Sequence, residues 1–216
     1  GVRASTTPAR LQVRALHWDR MRSYASLVAS LNEHLAQFLR VDDVTVAERM
    51  RTARAERNRR WIEADPRTEE ERNRVYSSLG ELDLLKYAEW HLGDRDRHAL
   101  HDRAVRLALD RRARVLDVGG GIGDTALAFA ANGLDVTYVD LPGVCADFAR
   151  FRWQQLGVSE RISPLSPDEF WKSPNDRFGM IVSIEVLEHL ENPVHHAARY
   201  LELLETGGLL VVTACF

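Results

Sequence analysis

The chain has 216 residues, a formal net charge of −3 at pH 7 and a hydrophobic fraction of 45%. This balance is typical of a globular protein with a buried core, and it excludes a fibrous repeat or a disordered chain. The negative net charge disfavours a protein whose main partner is nucleic acid, because that role usually needs a strongly basic surface. No apolar run approaches the roughly 20 residues that cross a bilayer, so we expect a cytoplasmic location and no membrane span.

The N-terminal region is predicted to be helical. Over residues 11–39, apolar residues recur at steps of three and four, which predicts one helix with a buried stripe. The arginine-rich stretch that follows, as far as Pro66, is expected to be an exposed charged helix or a linker. Thr68 and Glu71 form the pattern of a capping box, which predicts that another helix begins there.

Two more helices are predicted before the middle of the chain, over residues 81–92 and 95–109. Gly93 and the potential N-cap residue Asp94 separate them. We therefore divide the chain into a helical region, residues 1–110, and a second region, residues 111–216.

The second region has the alternation of a doubly wound α/β fold. Short β-branched runs predict strands, and helix-length segments lie between them at the spacing of βαβ units. The predicted strands lie near residues 115–118, 135–139, 161–165, 180–184 and 209–213, and the predicted helices near residues 124–132, 143–156, 168–171 and 193–205. We expect a Rossmann-like parallel sheet that binds its ligand at the carboxyl ends of the strands.

A glycine-rich loop follows the first predicted strand, in the sequence Asp117-Val-Gly119-Gly120-Gly121-Ile-Gly123. Glycine lets the backbone turn tightly and lets a ligand approach, while the amides at the start of the next helix face the ligand. From Gly121 onward the loop also matches the Gly-x-Gly-x-x-Ala pattern of dinucleotide-binding enzymes. Asp117 argues against that alternative, because its carboxylate would repel a pyrophosphate but attract a sulfonium or an amino group.

This loop resembles the first motif of class I S-adenosylmethionine-dependent methyltransferases, a hydrophobic strand that ends in acid-x-Gly-x-Gly-x-Gly. The resemblance implies that Asp117 and the glycines at 119–121 bind the cofactor. It also implies that Asp140, at the end of the second predicted strand, accepts hydrogen bonds from the ribose hydroxyls, and that Leu141 packs on the adenine. A nicotinamide enzyme would use the same acid, and a turn residue before Pro142 is the structural alternative.

The resemblance extends to two later segments. Asp168, after the third predicted strand, matches an acid near the adenine amino group, although Ser-Pro-Asp-Glu is equally typical of a helix start. The sequence of residues 178–193 resembles the fourth motif, in particular that of quinone-biosynthesis O-methyltransferases, and it implies that Ser183 lies beside the cofactor.

The fourth motif also carries the candidate catalytic group. His189 follows the fourth predicted strand, and an imidazole with an unperturbed pKa of about 6.5 is a candidate general base. A capping or packing histidine is the alternative. Glu185, Glu188 and His189 resemble the magnesium-binding Glu-x-x-Glu-His element of some quinone and RNA 2′-O-methyltransferases. On one helical turn these three side chains would share a face, and two carboxylates beside an imidazole could hold a divalent ion.

The helices of the first region have an expected role in this family. In similar methyltransferases such helices cover the cofactor and shape the acceptor pocket. Tyr76, Tyr87 and Trp90 are the aromatic residues of the helical region nearest to the glycine loop in sequence, so we expect them to line that pocket. Packing in a helical core is the alternative for all three.

The predicted function is methyl transfer from S-adenosylmethionine to a small-molecule hydroxyl, amine or carbon. An NAD-dependent oxidoreductase and a non-catalytic partner-binding module of the same fold are the alternatives, and no motif predicts the acceptor or the oligomeric state. Similar methyltransferases continue beyond the fifth strand with a helix and an antiparallel hairpin. Because those strands are missing here, we expect an unusually short sheet, compensation by the N-terminal helices, or a fragment.

Overall fold

The computed structural model describes residues 20–172 and 176–214, which form a mixed α/β fold. Before the sheet, the described helices are α1 Tyr24–Val28, α2 Leu31–Leu39, α3 Asp43–Ala64, α4 Glu69–Leu79, α5 Glu81–Gly93 and α6 Arg95–Arg111. The alternating part contains β1 Val115–Val118, α7 Asp124–Ala130, β2 Val136–Val139, α8 Val144–Gln155, β3 Ile162–Leu165, α9 Pro167–Trp171, β4 Phe178–Ile184, α10 Pro193–Leu203 and β5 Leu204–Thr213. Two short 3₁₀ helices, Ser159–Arg161 and Leu187–His189, precede β3 and α10.

The helix predicted over residues 11–39 is two helices where the structure describes it, and residues 11–19 lie outside the described residues. Ser23 caps α1 by accepting a backbone amide three residues further on, at 3.3 Å. Ser30 lies at the break between α1 and α2, in keeping with the low helix propensity of serine. Both helices bury residues of the predicted apolar stripe, namely Leu27, Val28, Leu31 and Leu35. The spacing therefore identified the buried face but not the break.

The arginine-rich stretch forms α3 rather than a linker. Asp42 caps the helix by accepting the amide of Thr45 at 2.7 Å, and exposed ion pairs such as Arg59–Glu63, at 2.6 Å, run along its surface. Such exposed pairs stabilise a helix only weakly, so packing against α5 holds α3 in place. In the described ranges, no helix has the length and apolar character needed to cross a membrane.

The remaining predicted helices of the first region are confirmed. Thr68 and Glu71 form the predicted capping box at the start of α4, each accepting a hydrogen bond from the backbone of the other. Asp94 caps α6 by accepting the amide of Arg97 at 3.0 Å. The local sequence signals were sufficient here because caps are satisfied by residues three positions apart.

Five parallel strands form one sheet in the order β3-β2-β1-β4-β5, which confirms the doubly wound fold. The chain winds outward from β1 to β3 on one side and then crosses to β4 and β5 on the other. The crevice at the carboxyl ends of β1 and β4 is therefore the point where ligands bind in such sheets. β5 begins five residues earlier than predicted. A register shift between Phe178 and Met180 of β4 accommodates the extra residues of β5. Gly207, one of these residues, has a left-handed backbone conformation.

Buried side chains form three clusters that join the helices to the sheet. One cluster packs α1, α6 and α7 on one face of the sheet, and it contains Tyr24 together with Val115 and Met180. A second packs α9 and α10 on the opposite face. The third lies between α2, α3, α5 and α8, where Leu35 and Phe148 are fully buried. The packing therefore crosses the division between residues 110 and 111.

Candidate functional site

The glycine loop joins β1 to α7 at the carboxyl edge of the sheet. Gly119, Gly121 and Gly123 have φ values of +68°, +55° and +76°, which favour glycine. A Cβ at Gly119 would overlap the side chain of Val186, and a Cβ at Gly120 would lie 2.5 Å from the ring of Tyr138. A Cβ at Gly121 would meet nothing within 4 Å, so the middle of the loop is the part that faces open space.

Asp117 is buried beneath this loop, at the end of β1. The residue is 2% exposed, and a Cβ at Gly120 would approach its Oδ2 to 2.7 Å. Among the described residues, that oxygen has no hydrogen-bond partner. Burial, followed by the charge of Asp140, raises the pKa of Asp117 to about 8. An unsatisfied buried carboxyl oxygen is costly, and a ligand that donates to it would remove that cost.

Asp140 stands at the end of β2 and binds the glycine loop directly. Its Oδ2 accepts the amide of Gly121 at 2.5 Å, and its Oδ1 accepts the amide of Leu141 at 2.6 Å. Burial raises the pKa of Asp140 to about 6, although these two amides oppose the shift. A carboxylate has about four acceptor positions, so two further donors can bind here. The residue is half-buried, which leaves those positions within reach of a ligand.

The two carboxyl groups together favour a positively charged ligand. The causes that raise both pKa values are burial and the negative charge of other carboxylates. A cation placed near them would stabilise the ionised forms, whereas an anion would oppose them. The site therefore has the electrostatic character of a receptor for an ammonium or sulfonium group rather than for a pyrophosphate.

The other residues assigned to the cofactor lie in three different environments. Leu141 is half-buried beside Asp140, at the mouth of the loop. Asp168 is exposed in the first turn of α9, where Ser166 and Glu169 form a capping box. Ser183 is fully buried in β4, and its side chain points to the same sheet face as Ile181, towards α10. Cofactor contacts for these residues stay predictions.

The expected metal-binding turn does not form. Glu185 lies at the end of β4 with a φ of +55°, and the helical turn begins only at Leu187, so Glu185 does not share a helical face with Glu188 and His189. Within residues 20–172 and 176–214, no group of three or more His, Cys, Asp or Glu side chains is placed to hold a metal ion. The prediction of a magnesium site at Glu185, Glu188 and His189 is therefore not supported.

His189 is held in place by α4. Its carbonyl accepts the guanidinium Nε of Arg72 at 3.0 Å, and its ring meets the ring of Tyr76 edge-on at 5.8 Å between centroids. The loop after His189 is also bound to the start of α4. There the carboxylates of Glu69 and Glu191 each accept the backbone amide of the other residue. Partial desolvation lowers the pKa of His189, Glu188 opposes this effect, and the charges of Lys86 and Arg57 lower the pKa further. The imidazole of His189 is therefore neutral at pH 7 and can accept a proton.

One face of α5 carries Asp83 and Lys86, which the sequence interpretation had not assigned to the site, beside Tyr87 and Trp90, which it had. Asp83, Lys86, Tyr87 and Trp90 follow the helical spacing of three and four residues. Asp83 is buried and pairs with Arg57 of α3, with 2.6 Å between Oδ1 and Nε. The spacing of these polar residues was a usable signal, but it does not reveal which neighbour the face meets.

The aromatic residues expected to line the pocket take separate positions. Tyr76 contacts His189. Tyr87 packs against the cluster that contains Ile122 of the glycine loop. Trp90 lies between the cations of Lys86 and Arg97, at 4.7 and 3.7 Å from its ring centroid. Tyr76 thus contacts the candidate base, Tyr87 packs in the cluster that includes the glycine loop, and Trp90 packs against charged groups of its own helical region.

Comparison with known proteins identifies the family. Residues 92–215, more than half of the chain, match the sequence profile of the methyltransferase domain family. The ubiquinone biosynthesis O-methyltransferase of Alkalilimnicola ehrlichii is 32% identical over 101 residues, which cover 45% of this chain and 40% of that protein. The enzyme of the same name from Saccharophagus degradans is 27% identical over 148 residues, which cover 65% of this chain and 62% of that protein.

These matches are partial, because they span less than two thirds of the length of either relative. Among solved structures, the ribosomal protein L11 methylase from Lactobacillus delbrueckii subsp. bulgaricus is 20% identical, with a TM-score of 0.47 over 56% of this chain and 60% of that chain. The profile match, the motif at Asp117 and the strand order agree. The chain belongs to the methyltransferase domain family, with the class I fold.

Proposed function

We propose that this chain binds S-adenosylmethionine at the glycine loop and transfers its methyl group to a small-molecule acceptor. The observation that carries the proposal is the buried Asp117, whose Oδ2 lacks a partner among the described residues directly beneath the glycines. When bound, S-adenosylmethionine supplies a methyl group attached to a positively charged sulfur. Its cationic groups suit Asp117, and its ribose hydroxyls suit the free acceptor positions of Asp140.

A nicotinamide dinucleotide fits the same residues less well. Asp140 would suit its ribose, but its pyrophosphate is anionic and would lie at the loop above Asp117. Burial raises the pKa values of Asp117 and Asp140, and neighbouring carboxylates raise them further. A second anion would raise them further, which opposes binding.

The acceptor is expected to enter beside His189, with an oxygen atom as the methylated group. The relatives are named O-methyltransferases, which supports an oxygen acceptor. His189 is exposed and faces Tyr76, and its lowered pKa leaves it free to take the hydroxyl proton. General bases of this kind contribute about 10²–10⁴-fold to a rate, and alignment of the two reactants contributes the rest.

Calorimetric titration with S-adenosylhomocysteine tests the cofactor assignment. We expect saturable binding to the wild-type chain, no saturable binding of NAD, and at least a tenfold weaker affinity in Asp140→Asn, because hydrogen bonds to a charged group contribute about 1.5–3 kcal/mol. Asp135→Asn is the matched control, since Asp135 precedes the same strand, is exposed and pairs with the exposed Arg161 at 2.9 Å. Binding of NAD in preference to S-adenosylhomocysteine would refute the proposal.

The role of His189 is tested by radiolabelled methyl transfer from S-adenosylmethionine to catechol. We expect His189→Gln to lower kcat by about 100-fold or more while leaving the affinity for S-adenosylhomocysteine unchanged. His195→Gln serves as the control, because His195 is an exposed histidine on α10. An unchanged kcat in His189→Gln would remove His189 from the mechanism without affecting the cofactor assignment.

A further inference from the structure

Two buried aromatic side chains hold the carbonyl groups of the glycine loop. The hydroxyl of Tyr138, on β2, donates a hydrogen bond to the carbonyl of Gly121 at 2.6 Å. The indole Nε1 of Trp153, on α8, donates to the carbonyl of Gly123 at 3.0 Å. Both aromatic residues are at most 2% exposed, and their rings meet edge-on with 5.0 Å between centroids. Each buried polar group thus finds its partner in the backbone of the loop.

The loop packs directly on these two rings. A Cβ at Gly120 would lie 2.5 Å from the ring of Tyr138, and a Cβ at Gly123 would lie 2.7 Å from the ring of Trp153. Carbon atoms in van der Waals contact are about 3.5–4.0 Å apart, so neither Cβ would fit. The loop and the two rings therefore form one closely packed unit, which leaves the two hydrogen bonds little room to shift.

Gly121 is held through both of its backbone groups. Its amide donates to Oδ2 of Asp140 at 2.5 Å, and its carbonyl accepts the hydroxyl of Tyr138. Tyr138 lies in β2 and Asp140 directly follows the strand, and this spacing of two residues places side chains on the same strand face. Gly121 has a φ of +55° and faces open space, so the two contacts fix the backbone where a ligand can reach the loop.

We propose that Tyr138 is a positioning residue for the cofactor, which holds the carbonyl of Gly121 so that the glycine loop has its binding conformation before the ligand arrives. This inference rests on the proposed function and adds a residue to its cofactor site. A loop that is already ordered binds more tightly, because no further conformational entropy is lost on binding. Local sequence could not reveal this role, since 17 positions separate Tyr138 from Gly121.

The test compares two variants that each remove one buried phenol hydroxyl and keep the ring. Tyr138→Phe removes the hydrogen bond to the loop, and Tyr24→Phe, the matched control, removes the hydrogen bond to His91. In calorimetric titrations with S-adenosylhomocysteine, we expect the affinity of Tyr138→Phe to be about three- to tenfold weaker than that of the wild type, the ratio that corresponds to one neutral hydrogen bond. The affinity of Tyr24→Phe should be unchanged. Urea denaturation should show a similar loss of stability in both variants, so the difference in affinity is the result that a merely structural role would not produce.

Amide hydrogen exchange in the wild-type chain is a second measurement, and it decides the question if Tyr138→Phe does not fold. Without ligand, the amide of Gly121 should exchange at least about tenfold more slowly than an unprotected glycine amide, because its hydrogen bond to Asp140 is already formed. Exchange at the unprotected rate, or equal affinities of Tyr138→Phe and the wild type for S-adenosylhomocysteine, would overturn the inference. Failure of S-adenosylhomocysteine to bind to the wild-type chain would instead refute the proposed function, and the inference with it.

Discussion

Two buried aspartates flank the glycine loop, and they have opposite environments. Asp117 precedes the loop and Asp124 follows it, and both residues are at most 2% exposed. Asp124 forms a fully buried ion pair with Arg152 of α8. Asp117 has no cationic partner among the described residues, and its pKa is raised to about 8. Asp124 is thus charge-paired within the protein, although its Oδ2 also has no hydrogen-bond partner among the described residues, whereas Asp117 has no cation beside it.

The surroundings of Asp124 explain how the helical region is attached to the sheet. Arg152 also donates to the carbonyl of Leu27, at 3.0 Å, so one guanidinium links α1 to the start of α7. Next to it, the hydroxyl of Tyr24 shares a hydrogen bond with Nδ1 of His91. Burial lowers the pKa of His91 well below its usual value, so the ring is neutral at pH 7. The lack of a cation beside Asp117, rather than its burial, therefore distinguishes it from Asp124 as the candidate ligand group.

Replacing Arg152 is expected to have the largest effect. Arg152→Met leaves the carboxylate of Asp124 buried without its cation, which should lower the free energy of unfolding by about 3–5 kcal/mol. Urea denaturation measures this change. Arg150→Met is the control, because Arg150 lies on the same helix in an exposed pair with Asp147 at 3.3 Å. Equal free energies of unfolding for the two variants would show that the pair of Asp124 and Arg152 does not stabilise the fold.

Asp117→Asn should reverse that pattern, by weakening ligand binding while sparing the fold. The affinity for S-adenosylmethionine should fall at least about tenfold, because the interaction with a charged acceptor is lost. Between pH 4 and 8 the folded Asp117, with its pKa of about 8, binds more protons than the unfolded one, so it destabilises the fold as pH rises through this window. Asp117→Asn should flatten this decline in chemical denaturation. A loss of stability as large as that of Arg152→Met would show that Asp117 supports the fold rather than a ligand.

The binding of S-adenosylmethionine should depend on pH through Asp117 and Asp140. Their pKa values of about 8 and 6 mean that one or both are protonated near pH 6 in the free protein. A cationic ligand selects the ionised forms, so binding should release protons and the affinity should increase between pH 6 and 8. For each proton released, the affinity should increase by at most about tenfold per pH unit. Calorimetry in buffers of different ionisation enthalpy counts these protons. Uptake of protons on binding would show that the carboxyls do not face the cation.

Tyr24→Phe should have the smallest effect of the series. It removes the hydrogen bond to His91 but keeps the buried ring, which stacks on His101 with 4.1 Å between centroids. The expected loss is about 0.5–1.5 kcal/mol of unfolding free energy, with no change in the affinity for S-adenosylhomocysteine. Thermal denaturation and calorimetry measure the two quantities. A loss of affinity would extend the ligand site to the side of Asp124.

The local signals along the chain predicted most elements of this protein. The capping box at Thr68 and Glu71 and the cap at Asp94 depend on residues three positions apart, so each helix start is contained in a few residues. The alternation of short β-branched runs with helices predicted the parallel sheet, because period and length distinguish the two elements. The acid–glycine pattern at Asp117 predicted the cofactor class, because the loop and its acid belong to one strand–turn–helix unit.

Contacts between distant elements could not be predicted from local patterns. The pairing of Asp124 with Arg152 spans 28 residues, and the contact of His189 with α4 spans more than 100, so neither can be seen in a local pattern. The metal-binding expectation was not supported, because the φ of +55° at Glu185 moves that residue out of the helical turn. Local sequence was enough to predict the elements and the chemistry of the glycine loop, because these depend on neighbouring residues. Which acids are neutralised and which stay available depends on side chains brought together by folding.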